Sequence, residues 1–65
     1  MDYVRSFKDM ETQGMYVRPY GEEYMAIAFD ESGETLFEAF GVSERELARS
    51  VNNCLRFMDD DPSGE

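Results

Sequence analysis

The side chains that most often carry acid–base and nucleophilic catalysis are scarce in this sequence. It contains no histidine and a single cysteine, Cys54, so no nucleophile can be paired with an imidazole base. Two carboxylates can act as acid and base, and Glu22 with Glu23 or Glu38 with Glu46 have suitable chemistry. Because 15 of the 65 residues are acidic, such pairs also arise by chance. The sequence therefore predicts a protein that is not an enzyme.

A second chemical pattern lies near the C-terminus. Asp59, Asp61, Ser63 and Gly64 have the spacing that opens an EF-hand calcium loop, but the sequence ends before the position of the bidentate glutamate that closes such a loop. We therefore expect a solvated acidic tail over residues 59–65. Neither a metal site nor a cofactor site is predicted.

The strongest signal is the distribution of charge. The net charge is −9 at pH 7, and residues 21–46 contain eight acids with Arg45 as the only cation. Such a field attracts basic protein surfaces and repels nucleic acid and anionic membranes. We expect a basic protein partner, bound by carboxylates that converge on one end of a small rigid body. The predicted partner-binding residues are Asp30, Glu31, Glu34, Glu38, Glu44 and Glu46. A solubilising surface without any partner would have the same composition.

Tyr16, Arg18 and Tyr20 alternate along one predicted strand and so share one of its faces. Aromatic rings interleaved with arginine can bind single-stranded nucleic acid by stacking. The net charge of −9 argues against that function. We interpret the three side chains as a cross-strand cluster or a protein contact.

The best-defined element is a helix over residues 43–58. Its start is predicted by a capping box, in which Ser43 accepts from the Glu46 N–H while the Glu46 carboxylate reaches back to Ser43. Cys54 is predicted to be a small buried side chain of this helix. The apolar residues recur at spacings of three and four and form one stripe that a sheet must cover: Leu47, Ala48, Val51, Cys54, Leu55 and Met58.

Residues 24–30 and 34–40 predict a β-hairpin whose three-residue loop uses Gly33 as its left-handed residue. A two-residue loop would put Glu38 beside Ile27 on the core face and bury a carboxylate, so we reject that register. Pairing Asp30 with Glu34 instead sets the following residues against the helix: Met25, Ile27, Phe29, Phe37 and Ala39.

The other face of the predicted hairpin is also partly apolar. It carries Ala26, Ala28, Leu36, Glu38 and Phe40. Leu36 and Phe40, with Tyr24 nearby, are expected to be exposed unless the N-terminal arm covers them. This face supports an alternative function, that of a small protein–protein adaptor or subunit that binds through an apolar patch without mimicking nucleic acid.

The remaining segments complete one small domain over residues 1–65. Residues 15–20 are predicted to form an edge strand, because Pro19 cannot donate to a neighbouring strand. Residues 1–14 form an N-terminal arm in which residues 2–12 fit either a short helix capped by Asp2 or a strand; we favour the helix or an irregular arm. The predicted fold class is α+β, an antiparallel sheet of about three strands packed on the C-terminal helix.

The expected location is the cytoplasm. A lone cysteine makes no internal disulfide, and the sequence shows neither a signal peptide nor an apolar run long enough to span a membrane. At this size a partner or a second copy can complete the fold, so an oligomer remains open.

The acidic chain, with a hairpin of sequence YMAIAFDESGETLFEAF followed by the capped helix VSERELARSVNNCLRFM, resembles the small phage-encoded anti-CRISPR proteins, several of which imitate DNA. The resemblance is one of size, charge and general character, so no residue role is carried over. It implies an inhibitor in the host cytoplasm whose partner is a DNA-binding surface of a CRISPR effector subunit, with a type I surveillance complex as the first expectation.

Overall fold

A computed structural model describes residues 3–59, with side chains through Met58. Three antiparallel strands form one sheet in the order β1-β2-β3, and a short and a long helix flank them in sequence. The elements in chain order are α1 (Phe7–Thr12), β1 (Tyr16–Tyr20), β2 (Glu23–Phe29), β3 (Thr35–Gly41) and α2 (Glu44–Asp59). The predicted α+β fold, with a three-stranded sheet on a C-terminal helix, is confirmed. The acidic tail predicted over residues 59–65 lies outside the described side chains.

Helix α2 packs its predicted stripe against the sheet. Leu47, Ala48, Val51 and Leu55 are buried. Cys54 is half-buried at the edge of this core, while Met58, in the last turn, is outside it and exposed. The prediction of a buried stripe therefore holds for the middle of the helix and is wrong for its last turn.

The start of α2 differs from the predicted capping box by one residue. Ser43 Oγ accepts from the Glu46 N–H at 3.2 Å, as expected. The Glu46 carboxylate, however, accepts from the N–H of Val42 rather than of Ser43, also at 3.2 Å. The acid still satisfies a backbone donor before the helix, and it also lies at the positive end of the helix dipole.

The face of the sheet that meets the helices is the predicted one for β3, where Phe37 and Ala39 pack on the core, but not for β2. The expected loop is present, since the Asp30 N–H donates to the Glu34 carbonyl at 2.9 Å and Gly33 has a φ of 90°. A register shift beyond the loop pairs Phe29 with Thr35 but Ala28 with Phe37. One extra residue in β3 shifts the pairing by one, so that Phe37 and Ala39 share a face with Ala28 and Ala26 rather than with Ile27 and Met25.

As a result, the fully buried side chains on the core face of the hairpin are small ones. Ala26, Ala28 and Ala39 are buried in the core with Phe37 packed beside them. Met25, Ile27 and Phe29, which were predicted to face the helix, alternate with the alanines and so lie on the opposite face, where Met25 is nevertheless only 7% exposed. Ile27 pairs with Glu38 there, and the carboxylate stays exposed. The burial cost that argued against this pairing does not arise, because the pair faces solvent.

The small residues allow α2 to approach the sheet closely. Gly41 is buried at the end of β3, and a Cβ atom built on it would lie 2.3 Å from the Leu47 backbone nitrogen. Only a residue without a side chain fits under the first turn of α2 at that distance.

The N-terminal arm lies on the same side of the sheet as α2. Val4, Met10 and Met15 belong to the core, and the Phe7 ring lies 5.0 Å from the ring of Tyr24. Helix α1 is capped by Ser6, whose Oγ accepts from the Asp9 N–H; the predicted cap, Asp2, lies outside the described residues. The arm therefore does not cover the opposite sheet face. Over residues 3–59, neither helix has the length and apolar character needed to cross a membrane.

Candidate functional site

The six predicted partner-binding acids are distributed along the whole length of β3. Asp30, Glu31 and Glu34 belong to the hairpin loop, whereas Glu44 and Glu46 start helix α2 beyond the other end of the strand. Seven residues of β3 separate the two groups, which at about 3.3 Å per residue is roughly 20 Å. The expectation that all six carboxylates converge on one end was wrong, because the strand that connects them is extended.

Three of these acids have structural partners within the chain. The Asp30 carboxylate accepts from the Ser32 N–H at 2.9 Å, the Ser32 hydroxyl at 2.7 Å and the Glu34 N–H at 2.9 Å. The hydrogen bond from the Ser32 hydroxyl is the main cause that lowers the pKa of Asp30 below its ordinary value. Glu44 accepts from the Phe7 N–H at 2.9 Å and so ties α1 to α2. Asp30, Glu44 and Glu46 therefore help to build the fold.

The other three acids are available for a partner. Glu31, Glu34 and Glu38 are exposed, and no hydrogen bond or ion pair within residues 3–58 engages their carboxylates. Glu38 lies in the middle of β3 on the face that the helices leave open, opposite Ile27. Glu23 lies on the same face at the start of β2, paired with Tyr20.

We call this open side of the sheet the outer face. It is rich in exposed apolar and aromatic side chains, and the Tyr20 and Phe40 rings lie 5.5 Å apart on it. Leu36, at the register shift, is 41% exposed and Phe40 is 39% exposed. Across residues 3–59 neither helix packs here, since both contribute to the core on the other side. Its members are Tyr16, Arg18, Tyr20, Glu23, Met25, Ile27, Phe29, Leu36, Glu38 and Phe40.

Charge is distributed unevenly over the molecule, although Arg18 lies on the outer face and Glu11, Glu44 and Glu46 lie on the helix side. Residues 21–41 contain six acids and no cation, so negative charge borders the outer face at β2, at β3 and at the loop. Four of the six cations of the chain line a groove on the helix side instead: Arg5, Arg45, Arg49 and Arg56. Sequence reasoning missed this groove, although arginines four and seven residues apart on a helix share one face and signal it.

The described residues offer little that points to other chemistry. Within residues 3–59 no three histidine, cysteine, aspartate or glutamate side chains are grouped so that they could hold a metal ion. Burial raises the pKa of the Cys54 thiol above its ordinary value, which favours the unreactive protonated form.

Comparison of the chain with protein-family models, with curated proteins and with solved structures finds no match.

Proposed function

We propose that this protein is a non-enzymatic inhibitor that binds the basic, nucleic-acid-binding surface of a protein partner and excludes nucleic acid from it. The observation that carries the proposal is the hairpin of residues 21–41, which has six acids, no cation and an open apolar face. A CRISPR effector subunit is the partner that the resemblance to anti-CRISPR proteins implies, with inhibition taking place in the host cytoplasm.

The proposed contact surface combines two kinds of interaction. Carboxylates on the hairpin stand where nucleic-acid phosphates would meet lysines and arginines of the partner, and they accelerate encounter by electrostatic steering. Aromatic and aliphatic side chains of the outer face contribute apolar area at the centre of the contact, where binding energy is usually concentrated. The revised contact residues are Glu31, Glu34 and Glu38 together with Glu23, because Asp30, Glu44 and Glu46 are engaged by the backbone.

The test uses charge reversal at positions that do not support the fold. The immobilised protein is first used to retain a partner from a host lysate, and affinity for that purified partner is then measured together with competition by DNA. Each desolvated charge pair that is broken costs on the order of 2–5 kcal/mol. The triple variant Glu31→Lys, Glu34→Lys, Glu38→Lys should therefore lose affinity at least 100-fold and no longer displace DNA.

A matched control separates the contact from the total charge. Glu38→Lys and Glu11→Lys change the net charge equally, but Glu11 is exposed on α1, on the other side of the sheet. We expect the first to weaken binding and the second to leave it unchanged within about a factor of two. Full inhibition by the folded triple variant, or a ternary complex in which DNA and this protein bind the partner together, would refute the proposal.

The exposure of Leu36 and Phe40 favours a second candidate, an adaptor that binds through the outer face without competing with nucleic acid. Ionic strength distinguishes the two candidates. Charge-led inhibition weakens steeply as salt is raised, whereas apolar docking tolerates salt and shows a negative heat-capacity change. Leu36→Asp should abolish adaptor binding even where Glu38→Lys leaves it intact.

A further inference from the structure

A groove of about 460 Å³ lies on the helix side of the molecule, between the N-terminal arm and the exposed flank of α2. It gathers four of the six cations of a chain whose net charge is −9. The groove is lined by Val4, Arg5, Arg45, Ala48, Arg49, Asn52, Asn53 and Arg56.

Helix α2 supplies three of the arginines in a row. Arg45, Arg49 and Arg56 are separated by four and seven residues, so they lie on one flank of the helix. The row spans eleven residues, or roughly 16 Å at about 1.5 Å per residue. It therefore presents a line of positive charge rather than a single point.

The arm supplies the fourth arginine, and its backbone is held in place. Asn52, itself part of the groove, exchanges two hydrogen bonds with Val4, and the Arg5 N–H donates to the Asp9 carboxylate at 2.9 Å. Because the Val4 carbonyl and the Arg5 N–H are both hydrogen-bonded, the backbone of Arg5 is held at the border of the groove. The groove is thus lined on two sides by segments about forty residues apart in sequence, and it is open to solvent.

The positive charges of the groove are not neutralised by the described part of the chain. No carboxylate of residues 3–58 forms an ion pair with any of the four guanidinium groups. The acids nearest in sequence to Arg45 are Glu44 and Glu46, and both accept from backbone N–H groups instead. Like charges four residues apart on a helix destabilise it, so an anion bound between the arginines would relieve a repulsion that the fold leaves in place.

The shape and lining of the groove define the anion. Guanidinium groups bind phosphate through paired N–H donors, and the volume is that of a small-molecule site. Among residues 3–58 no aromatic ring lines the groove, so these residues provide no surface for stacking a base. A long polynucleotide would extend beyond the arginines into the negative field of the rest of the chain, whereas a short anion would not.

We propose that this arginine groove binds a small oligophosphate anion, either free or as the phosphate chain of a nucleotide. The ligand chemistry is a linear run of phosphates that spans neighbouring arginines of α2, with Arg5 lining the groove from the N-terminal arm. The site lies on the side of the sheet away from the outer face, so it is independent of the proposed inhibitory contact.

The test is isothermal titration of the full-length protein with sodium tripolyphosphate at low ionic strength. We expect one site per chain, and at least tenfold weaker binding by the variant Arg45→Gln, Arg49→Gln. The matched control is Lys8→Gln, Arg18→Gln, which removes two positive charges outside the groove and should bind within a factor of two of the unchanged protein. Circular dichroism checks that both variants fold.

Further measurements identify the source and the location of the ligand. ATP should bind with an affinity similar to that of tripolyphosphate and adenosine should not bind, because the phosphate chain is what is recognised. Arg5→Gln should also weaken binding several-fold, because Arg5 of the N-terminal arm lines the groove together with the arginines of α2. Amide chemical shifts should change at Val4, Arg49 and Asn53 and stay constant along β1.

Several results would overturn the proposal. These are absence of tripolyphosphate binding by the unchanged protein, equal loss in both double variants, or tighter binding of citrate than of tripolyphosphate. Binding that emerges only in the variant Asp59→Asn, Asp60→Asn, Asp61→Asn would assign the groove to the chain's own carboxylates. Self-association that the Arg45 and Arg49 substitutions abolish would assign it to a second copy.

Discussion

Val4 and Asn52 are joined by two hydrogen bonds although 48 residues separate them in sequence. The Val4 N–H donates to Asn52 Oδ1 at 2.8 Å, and Asn52 Nδ2 donates to the Val4 carbonyl at 2.9 Å. One side-chain amide thereby satisfies both backbone groups of a residue whose side chain is only 1% exposed. This contact sets the N-terminal arm on α2 and gives the arginine groove its second wall.

Removing this amide tests how strongly the arm is held. Asn52→Ala leaves the partly buried N–H and carbonyl of Val4 without their partner, and we expect a loss of about 1–3 kcal/mol in the free energy of unfolding. The neighbouring change Asn53→Ala, at an exposed position, should cost less than about 0.5 kcal/mol. Urea denaturation measures both. Hydrogen exchange at the Val4 amide should accelerate in Asn52→Ala alone; unchanged protection there would show that the arm is held by other contacts.

Gly41 tests the close approach of α2 to β3. In Gly41→Ala the new Cβ would lie 2.3 Å from the Leu47 nitrogen and 2.7 Å from the Leu47 Cα. Since both are backbone atoms, neither can move aside without displacing the first turn of the helix. We expect a loss of about 1–3 kcal/mol or more in unfolding free energy. Thr35→Ala, at the exposed start of the same strand, serves as the control, and equal denaturation midpoints for the two variants would contradict this packing.

Much of the fold follows from short-range signals that are explicit in the sequence. Ser43 and the spacing from Leu47 to Leu55 predict the start and the buried stripe of α2, and both are found. Gly33 predicts the loop of the hairpin, and it has the expected positive φ. These features depend on a few neighbouring residues, so local pattern is sufficient to predict them.

The features that sequence reasoning missed depend on long-range packing. The register shift places Leu36 between two pairs, Phe29 with Thr35 and Ala28 with Phe37. No glycine or proline at this position in the sequence indicates the shift. Larger apolar side chains such as Ile27 were expected to face the core, yet the close approach of α2 selects alanines. The joining of Val4 to Asn52 likewise connects distant segments, so the groove between them was not foreseen.

The observed register of the hairpin predicts that lysine substitutions at two adjacent positions have opposite effects on stability. In Ile27→Lys the ammonium group would face solvent opposite Glu38, where an opposite-charge pair is favourable. In Ala28→Lys the same group would enter the core beside Phe37, at a cost of about 3–5 kcal/mol for an unpaired buried charge. We therefore expect the first variant to fold, within about 2 kcal/mol of the unchanged protein, and the second to be largely unfolded. Circular dichroism and thermal melting distinguish the two variants. The reverse order of stability would contradict the observed register and support the one predicted from the sequence.

The half-buried thiol of Cys54 should react slowly in the folded protein. Burial raises the pKa of this thiol, so less of the nucleophilic thiolate is present at pH 8 than for an open cysteine. Alkylation by iodoacetamide, followed by mass spectrometry, should therefore be slower in buffer than in urea at the same pH. Equal rates under the two conditions would mean that the helix face around Cys54 is open.

Asp30 should make the stability of the hairpin depend on pH in the acidic range. The hydrogen bond from the Ser32 hydroxyl, followed by that from the Glu34 N–H, lowers the pKa of the folded carboxyl below the ordinary value of 3.8. A lowered pKa in the folded state means that the stabilisation is fully present above the unfolded value and is lost as the pH falls through the folded value. The stability difference between the unchanged protein and Asp30→Asn should therefore be constant near pH 6 and shrink below about pH 4. Glu31→Gln removes one charge from the same loop without removing any of these hydrogen bonds, and its curve corrects for the change in net charge. A difference between Asp30→Asn and the unchanged protein that stays level from pH 6 to pH 2, measured by urea denaturation, would show that the loop does not depend on the charged form of Asp30.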